Sequence, residues 1–406
     1  MKKTMPLPSY IRSVIRMLNN AGYEAYVVGG AVRSFMLGRD DIHDYDITSS
    51  ALPEEVHQVF ADRRIIDTGI RHGTVTVLEQ KHPVEITTYR IEHGYSDHRH
   101  PDQVSFTRSL QEDCARRDFT VNALCYHPKE GIRDFFSGTE DLRNHVIRAV
   151  GDPMIRFEED ALRILRAVRF AAQLGFVIEE HTELALRSRM ESLLYVSQER
   201  VTSELVKTVS APCIKPVFSA YQDMFDLLIP ELQEYDEEAK AALPDQLQAA
   251  PEDPIIRMAI LLNGLHDPAR CDQILRRMKF SNADRYAITN LLSLADLPLE
   301  TRIDMRWAKN KLTVSDETYL AFRCVLDPSL DQSALEDLAA RIRKDRDCCT
   351  MKQLKVTGKD LTELGFRGSR ISMSMNACLS AVIEDRLPNT KEALTAYLRE
   401  LAGLSD

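Results

Sequence analysis

The stretch from Gly29 to Ile47, GGAVRSFMLGRDDIHDYDI, decides how this chain is read. It opens on two glycines, Gly29 and Gly30, and closes on two aspartates, Asp44 and Asp46, spaced i, i+2. Upstream, Tyr23 to Val28 (YEAYVV) is predicted to be a strand running into the glycines, and Ala31 to Leu37 the first turns of a helix. A glycine turn before a helix lets backbone N–H groups approach a phosphate closely, and the helix N-terminus adds favourable partial charge. Arg33, in the first turn, adds a bidentate phosphate contact. After Gly38 the chain turns into a second predicted strand over Asp44 to Thr48. Residues two apart on a strand share a face, so Asp44 and Asp46 present paired carboxylates at one spot. Such a pair is costly without a cation, and Mg²⁺ takes one or two carboxylates plus phosphate oxygens. Either piece alone is as compatible with a helix-capping turn and a solvated acidic loop. The ordered set GG-x2-R followed by D-x-D points to a nucleotide site.

Around this stretch the composition is that of a soluble globular protein. The 406 residues are 44% apolar and 28% charged, enough for two to four domains with sizeable cores. No apolar run approaches the length of a membrane span, and no secretory leader is evident, so a cytoplasmic protein without a membrane partner is expected. The eight cysteines (114, 125, 213, 271, 324, 348, 349 and 378) form no CxxC pair and are expected reduced. A net charge of −10 argues against a coat of basic residues for non-specific nucleic-acid binding. A local stripe can still bind RNA, and Arg143 to Arg169 is such an enrichment.

Residues 8–20 have the apolar spacing of a helix ending at Asn19-Asn20-Ala21-Gly22, and Pro53 to Phe60 reads as another. Gly73 to Leu78 and Val84 to Tyr89 alternate and are β-branched, which predicts a hairpin across Glu79 to Pro83. From about Asp141 onward strand signals stop and amphipathic helices follow. Residues 91–109 are polar and predict a mobile loop, whose His93, His98 and His100 are too irregularly spaced for a metal site.

Three further strings carry chemistry. Glu85 alternates with Val84 and Ile86 on its strand and is equally read as the wet face of a sheet. In Asp113 to Leu124 (DCARRDFTVNAL), helical spacing places Asp118 and Asn122 on one face at i, i+4, beside Arg116 and Arg117. In Glu159 to Phe170 (EDALRILRAVRF), Asp160 and Arg163 are i, i+3 on one predicted helix face, with Arg166 and Arg169 following; an ordinary intrahelical ion pair is the bland reading.

Taken together, GGAVR…LG…D-x-D, the Glu85 strand, RRDFT-x-NA and EDxxR resemble, in order and spacing, the class II tRNA nucleotidyltransferases (bacterial CCA-adding enzymes) of the nucleotidyltransferase and poly(A) polymerase superfamily. The likeness covers roughly residues 22–205, including a hinge-like segment at Asp141 to Pro153 and a fifth motif at Ser197 to Glu204, where Ser197 is a natural N-cap. It implies that Asp44, Asp46 and Glu85 are the catalytic carboxylates that hold Mg²⁺. It implies that Gly29, Gly30, Arg33, Arg116 and Arg117 take the triphosphate, and Asp118 and Asn122 the ribose. Asp160 and Arg163, in the stripe with Arg166 and Arg169, would then match the base edge. An acceptor beside an obligatory donor complements the Watson–Crick edge of cytosine and, after rotation, of adenine. The 91–109 segment resembles the family's flexible loop, with Arg99-His100 where paired arginines are usual.

The fold so implied is an α+β nucleotidyltransferase head with a small mixed β-sheet (1–145), followed by an all-α neck (146–212), body (213–330) and tail (331–406). The implied activity is template-independent addition of C, C and A to the tRNA 3′ end from CTP and ATP; the alternative is a poly(A) polymerase or a partial CC- or A-adding enzyme. The basic-aromatic segment of the polymerases is not seen after the D-x-D strand. A homodimer is compatible with the sequence. In the C-terminal half, Val356 to Leu361, Gly365 to Arg370 and Lys391 to Leu401 form a glycine-punctuated basic patch suited to an RNA backbone or to solvated helix ends. His266-Asp267 lacks the further ligands of an HD-type phosphohydrolase, and Cys348-Cys349 has no zinc-spaced partner.

Overall fold

The computed structural model describes residues 4–40, 42–94 and 103–403. The chain divides into two compact units, Met1–Leu228 and Ile229–Asp406.

The first unit is built on strands β1 (Ala25–Val28), β2 (Asp46–Ser49), β3 (Ile65–Gly69), β4 (Thr74–Glu79), β5 (His82–Thr88), β6 (Arg90–His93), β7 (Gln103–Phe106), β8 (Cys125–His127) and β9 (Gly131–Arg133). A mixed sheet runs in the order β3-β4-β5-β2-β1-β8-β9, and β6 pairs with β7 in a separate ribbon. All four residues of β1 (AYVV) are buried, the pattern of a central strand covered on both faces. The helix Ser9–Asn20 buries Ile11, Val14, Ile15 and Leu18, one face of its 3.6-residue period. Gly29 follows β1 with φ 70° and ψ −131°, a conformation that a side chain would strain, and helix Gly30–Met36 starts at once. β2 and β5 are parallel, with Ile47 opposite Ile86 and Thr48 opposite Thr87. The residues just before, Asp46 and Glu85, therefore occupy neighbouring positions. Gln80 and Lys81, both with positive φ, make the tight turn of the β4–β5 hairpin, whose twist matches its strands.

Several expectations change here. The polar 91–109 segment is framed by paired strands, Ile91 opposite Ser105 and Glu92 opposite Val104, where a mobile loop was expected. Residues 95–102, with His98 and Arg99-His100, lie outside the described residues. The Asp44–Thr48 strand begins only at Asp46, although the exposed-buried alternation already holds from Asp44 to Ile47. Strand structure also persists past Asp141, in a two-residue parallel ladder of Val146–Ile147 with Val177–Ile178, too short to show alternation in sequence.

Gly138 opens helix Gly138–Asn144, and a Cβ there would lie 2.2 Å from the carbonyl oxygen of Thr120. That neighbour is backbone and cannot swing aside. Gly138→Ala is expected to cost about 1–3 kcal/mol, as overpacking does, read as a lower urea midpoint at unchanged slope.

The remainder of the first unit is helical, with Leu162–Leu174 packed against Gln198–Val209. In the second unit, from Ile229, the described secondary structure is helical. Part of its core gathers Val356, Leu361, Phe366, Cys378, Leu379, Ile383, Leu394 and Leu398, with half-buried Trp307 against them. Asp267 caps helix Pro268–Arg277 by accepting from the N–H groups of Ala269 and Arg270. Cys348 and Cys349 are free and buried. In the expected basic patch, Lys391 pairs with Asp360 at 2.9 Å and Arg367 donates to the carbonyls of Thr362 and Phe366, while Lys359 and Arg370 remain exposed.

Candidate functional site

Asp44, Asp46 and Glu85 line one cavity of about 200 Å³, walled by Tyr10, Ile11, His43, Tyr45 and Pro83. The sheet explains the meeting: β2 starts at Asp46, beside Glu85 on the parallel β5, and Asp44 lies two residues before it. Asp46 is exposed, yet partial desolvation in the pocket raises its carboxyl above the usual range, and the like charges of Asp44 and Glu85 add to this against Arg117. Among the described residues no three His, Cys, Asp or Glu side chains converge closely enough to form a finished metal cluster. The donor set fits a hard divalent cation nonetheless: oxygen ligands only, mutually repelling, open to substrate oxygens that complete the shell.

Next to the glycine turn is a cluster of guanidiniums. A Cβ on Gly29 would stand 3.7 Å from Arg117 Nη1 and one on Gly30 3.8 Å from Arg33 Nη2, so both arginines flank the turn. Arg33 donates to Asn122 Oδ1, while its buried Nε has no hydrogen-bond partner among the described residues. Burial, with Arg169, Arg39 and Arg166 nearby, lowers its pKa to about 10 against the pull of Asp118. The guanidiniums of Arg33, Arg166 and Arg169 lie 4.9, 5.4 and 3.9 Å from the centre of the Phe170 ring. That ring face favours cations. Asp118, Glu204 and Asp160 offset part of this charge: Arg166 meets Asp118 through Nε at 3.0 Å and Nη2 at 2.5 Å and feels Asp160, and Arg169 meets Glu204. Such an excess of buried positive charge suits an anion.

Asp118 and Asn122 come together as expected, by a different route. Helix Leu110–Ala115 ends before Asp118, and Asn122 lies in the 3₁₀ turn Thr120–Asn122, so no common helix face exists. Asn122 Nδ2 instead donates directly to Asp118 Oδ1 at 3.0 Å, and the Phe119 N–H donates to the same oxygen at 2.8 Å. Burial opposes ionisation of Asp118, but Arg166 and the Asn122 amide outweigh it and hold the pKa at about 2. Arg116 and Arg117 both lean on buried Asp113, at 2.8 and 3.3 Å.

The helix face expected for Asp160 and Arg163 is also broken. Asp160 ends helix Pro153–Glu159 with φ −145° and ψ 102°, and the next helix starts at Leu162. One Asp160 oxygen caps the Leu162 N–H at 3.1 Å and the other meets Arg200 at 2.8 Å. Arg163 bonds Glu159 and the carbonyls of Arg156 and Arg116. Arg200 and Glu204 thus face the 160–169 segment from one side of helix Gln198–Val209. Ser197 holds the N-cap position but makes no side-chain cap bond.

Sequence reasoning missed Asp113, Phe170 and Glu92. Asp113 accepts from Thr48 Oγ1 at 3.0 Å, tying the aspartate strand to both arginines. Its i+3 and i+4 spacing to Arg116 and Arg117 was a readable signal. Glu92, on β6, bonds Arg116 at 3.2 Å across 24 residues, which no local pattern reveals.

Residues 25–148 match the Poly A polymerase head domain, and residues 253–398 match tRNA nucleotidyltransferase domain 2. The chain is 39% identical over 399 residues to the CCA-adding enzyme of Lactobacillus helveticus, covering 96% of each chain. It is 38% identical over 393 residues to that of Lactobacillus johnsonii, covering 95% of each. Among solved structures, the Bacillus stearothermophilus CCA-adding enzyme in complex with CTP superposes with a TM-score of 0.80 at 31% identity, over 98% of both chains. Over its length, and not merely in its head, the chain belongs to the CCA-adding enzyme family.

Proposed function

We propose that this chain adds C, C and A in turn to the 3′ end of tRNA from CTP and ATP, by attack of the RNA 3′-hydroxyl on the α-phosphorus with release of pyrophosphate. One observation carries the reading: Asp46 at the start of β2, Asp44 just before it and Glu85 on the adjacent β5 line one pocket, with Arg117 acting on Asp46 there and flanking the glycine turn. Full-length relatives named CCA-adding enzymes support three-nucleotide addition over the polymerase alternative.

In this reading Asp44, Asp46 and Glu85 hold divalent cations, with Mg²⁺ as the ion. Such ions, when bound, polarise the phosphoryl oxygens and ease deprotonation of the 3′-hydroxyl. The glycine turn, Arg33 and Arg117 take the triphosphate, where buried guanidiniums are worth more than in water. Arg116 orients Arg117 through shared Asp113, while Arg166 and Arg169 hold Asp118 and Glu204 in place. Asp118 and Asn122 receive the ribose hydroxyls. Asp160 keeps acceptor capacity beyond its two bonds, since a carboxylate offers about four lone-pair sites. Arg163 stands beside it with its fork fixed by Glu159 and two carbonyls. Residues 1–145 serve as catalytic head, 146–212 as base-reading neck, 213–330 as body and 331–406 as tRNA-holding tail, in a cytoplasmic enzyme. A homodimer is the assembly to be weighed by light scattering.

The direct test is gel-resolved extension of tRNA lacking its terminal nucleotides, with CTP, ATP or both. A defined three-nucleotide product supports the reading, and a long A tail or arrest after two additions refutes it. Arg163→Ala is expected to erode discrimination for CTP and ATP over UTP and GTP by about 10- to 10²-fold, the scale of one lost base-edge contact of about 1–3 kcal/mol. Nucleotide choice unchanged in competition assays would remove Arg163 from base reading.

A further inference from the structure

We propose that Cys114 and Cys125 are an oxidisable dithiol that closes to a disulfide on reaction with a hydroperoxide, weakening nucleotide use by the segment between them. The effect on nucleotide use rests on the site reading given above; formation of the bond does not. The two Sγ atoms stand 3.3 Å apart, and both residues are fully buried. Cys114 lies near the end of helix Leu110–Ala115 and Cys125 opens β8, opposite Val28 of β1. The chain joining them carries Arg116, Arg117, Asp118 and Asn122. Both thiols sit in an apolar cluster with Tyr26, Val28, Tyr89, Leu110 and Ala123, and no residue of the proposed chemistry uses either sulfur.

The pair is chemically asymmetric. The hydrogen bond with Cys125, helped by Arg117 and opposed by burial, lowers the pKa of Cys114. The same hydrogen bond and burial raise Cys125. Arg117 acts on both sulfurs, so the asymmetry comes from the hydrogen bond, and Cys114, the one whose ionisation it makes easier, is the attacking partner. The Cys114 thiolate attacks one peroxide oxygen, giving a sulfenic acid and releasing the other oxygen as an alcohol or water. The Cys125 sulfur then attacks Sγ of Cys114 and expels hydroxide, which leaves as water with the Cys125 proton. In sum, two thiols and one hydroperoxide give one disulfide, one alcohol and one water. Burial means that a small hydroperoxide reaches the pair when the 116–124 segment opens. Bond formation draws the sulfurs to about 2.0 Å, a displacement of order 1 Å next to Arg116 and Asp118. Misplacement on that scale can cost about 10²-fold in a positioned reaction.

The test uses the full chain, reduced and then treated with hydrogen peroxide, alkylated without reductant, digested and mapped by mass spectrometry. The expected result is a cross-linked peptide pair containing Cys114 and Cys125, a roughly 10- to 100-fold fall in kcat/KM for CTP, and recovery with dithiothreitol. Cys114→Ala and Cys125→Ala are each expected to resist the activity loss under the same treatment. Alkylated Cys114 and Cys125 after peroxide would overturn the proposal, as would a cross-link with unchanged CTP kinetics or equal inactivation of both variants. The mass map reads the bond without reference to activity. Failure of the site reading shows separately, as normal incorporation by Asp46→Ala.

Discussion

Asp46→Ala is expected to lower CTP and ATP incorporation by about 10³-fold or more while tRNA binding stays intact. The magnitude follows from the several kcal/mol of charge stabilisation that a catalytic metal supplies, at about 1.4 kcal/mol per decade of rate. A second, opposite effect makes the test specific. Partial desolvation and the neighbouring charges of Asp44 and Glu85 raise the pKa of the exposed Asp46 in the folded protein. A carboxyl whose folded pKa lies above its unfolded value favours folding when protonated, so its ionisation destabilises the metal-free protein as pH rises past the unfolded value of about 4. Removing the carboxylate is therefore expected to raise the thermal midpoint of the metal-free protein at neutral pH, measured by calorimetry in chelator. An inactive variant with a higher midpoint cannot be dismissed as misfolded. Retained incorporation would refute the metal role of Asp46.

Asp118→Ala should have the largest effect on stability. Asp118 holds Arg166 through two donors and offsets the charge of Arg33. Truncating one partner of a buried pair leaves the other uncompensated, at about 3–5 kcal/mol. Urea unfolding of the first unit should show this as a lower midpoint, and double substitution with Arg166→Met should return part of the loss. The pH dependence has the reverse sign to that of Asp46. The Asp118 pKa is held at about 2 in the folded state, below the unfolded value of about 3.9. Its contribution is present in full above the unfolded value and lost as pH falls through the folded one, about 2–3 kcal/mol between roughly pH 5 and 1. The variant should lack that part of the acid dependence. An unchanged midpoint would mean that Arg166 finds another anion.

What the sequence made legible was local. The glycine turn, helix Ser9–Asn20 and the β4–β5 hairpin follow from turn chemistry and periodicity acting within a dozen residues. Asp44 and Asp46 were readable for the same reason, since strand alternation needs only neighbours. Their meeting with Glu85 was legible only by resemblance, because it depends on the parallel pairing of β2 with β5, whose register is set across 39 residues. Asp118 with Asn122, and Asp160 with Arg163, show the opposite failure. Spacing of i, i+4 and i, i+3 suggested shared helix faces, yet the helices break at Arg116 and at Asp160. In the first case side-chain hydrogen bonding to nearby backbone competes with the helix, as short acidic and amide side chains do. In the second, Asp160 caps the next helix. The cationic ring around Phe170 and the Glu92–Arg116 bond are tertiary, so pattern reading had no access to them.

Trp307 sits against the core of the second unit and is the chain's single tryptophan. Indole emission therefore follows melting of the second unit's core around Trp307. Fluorescence and far-ultraviolet dichroism recorded on one denaturant series consequently sample different parts of this molecule. A substrate that tightens only the N-terminal unit should move the second curve and leave the first where it was.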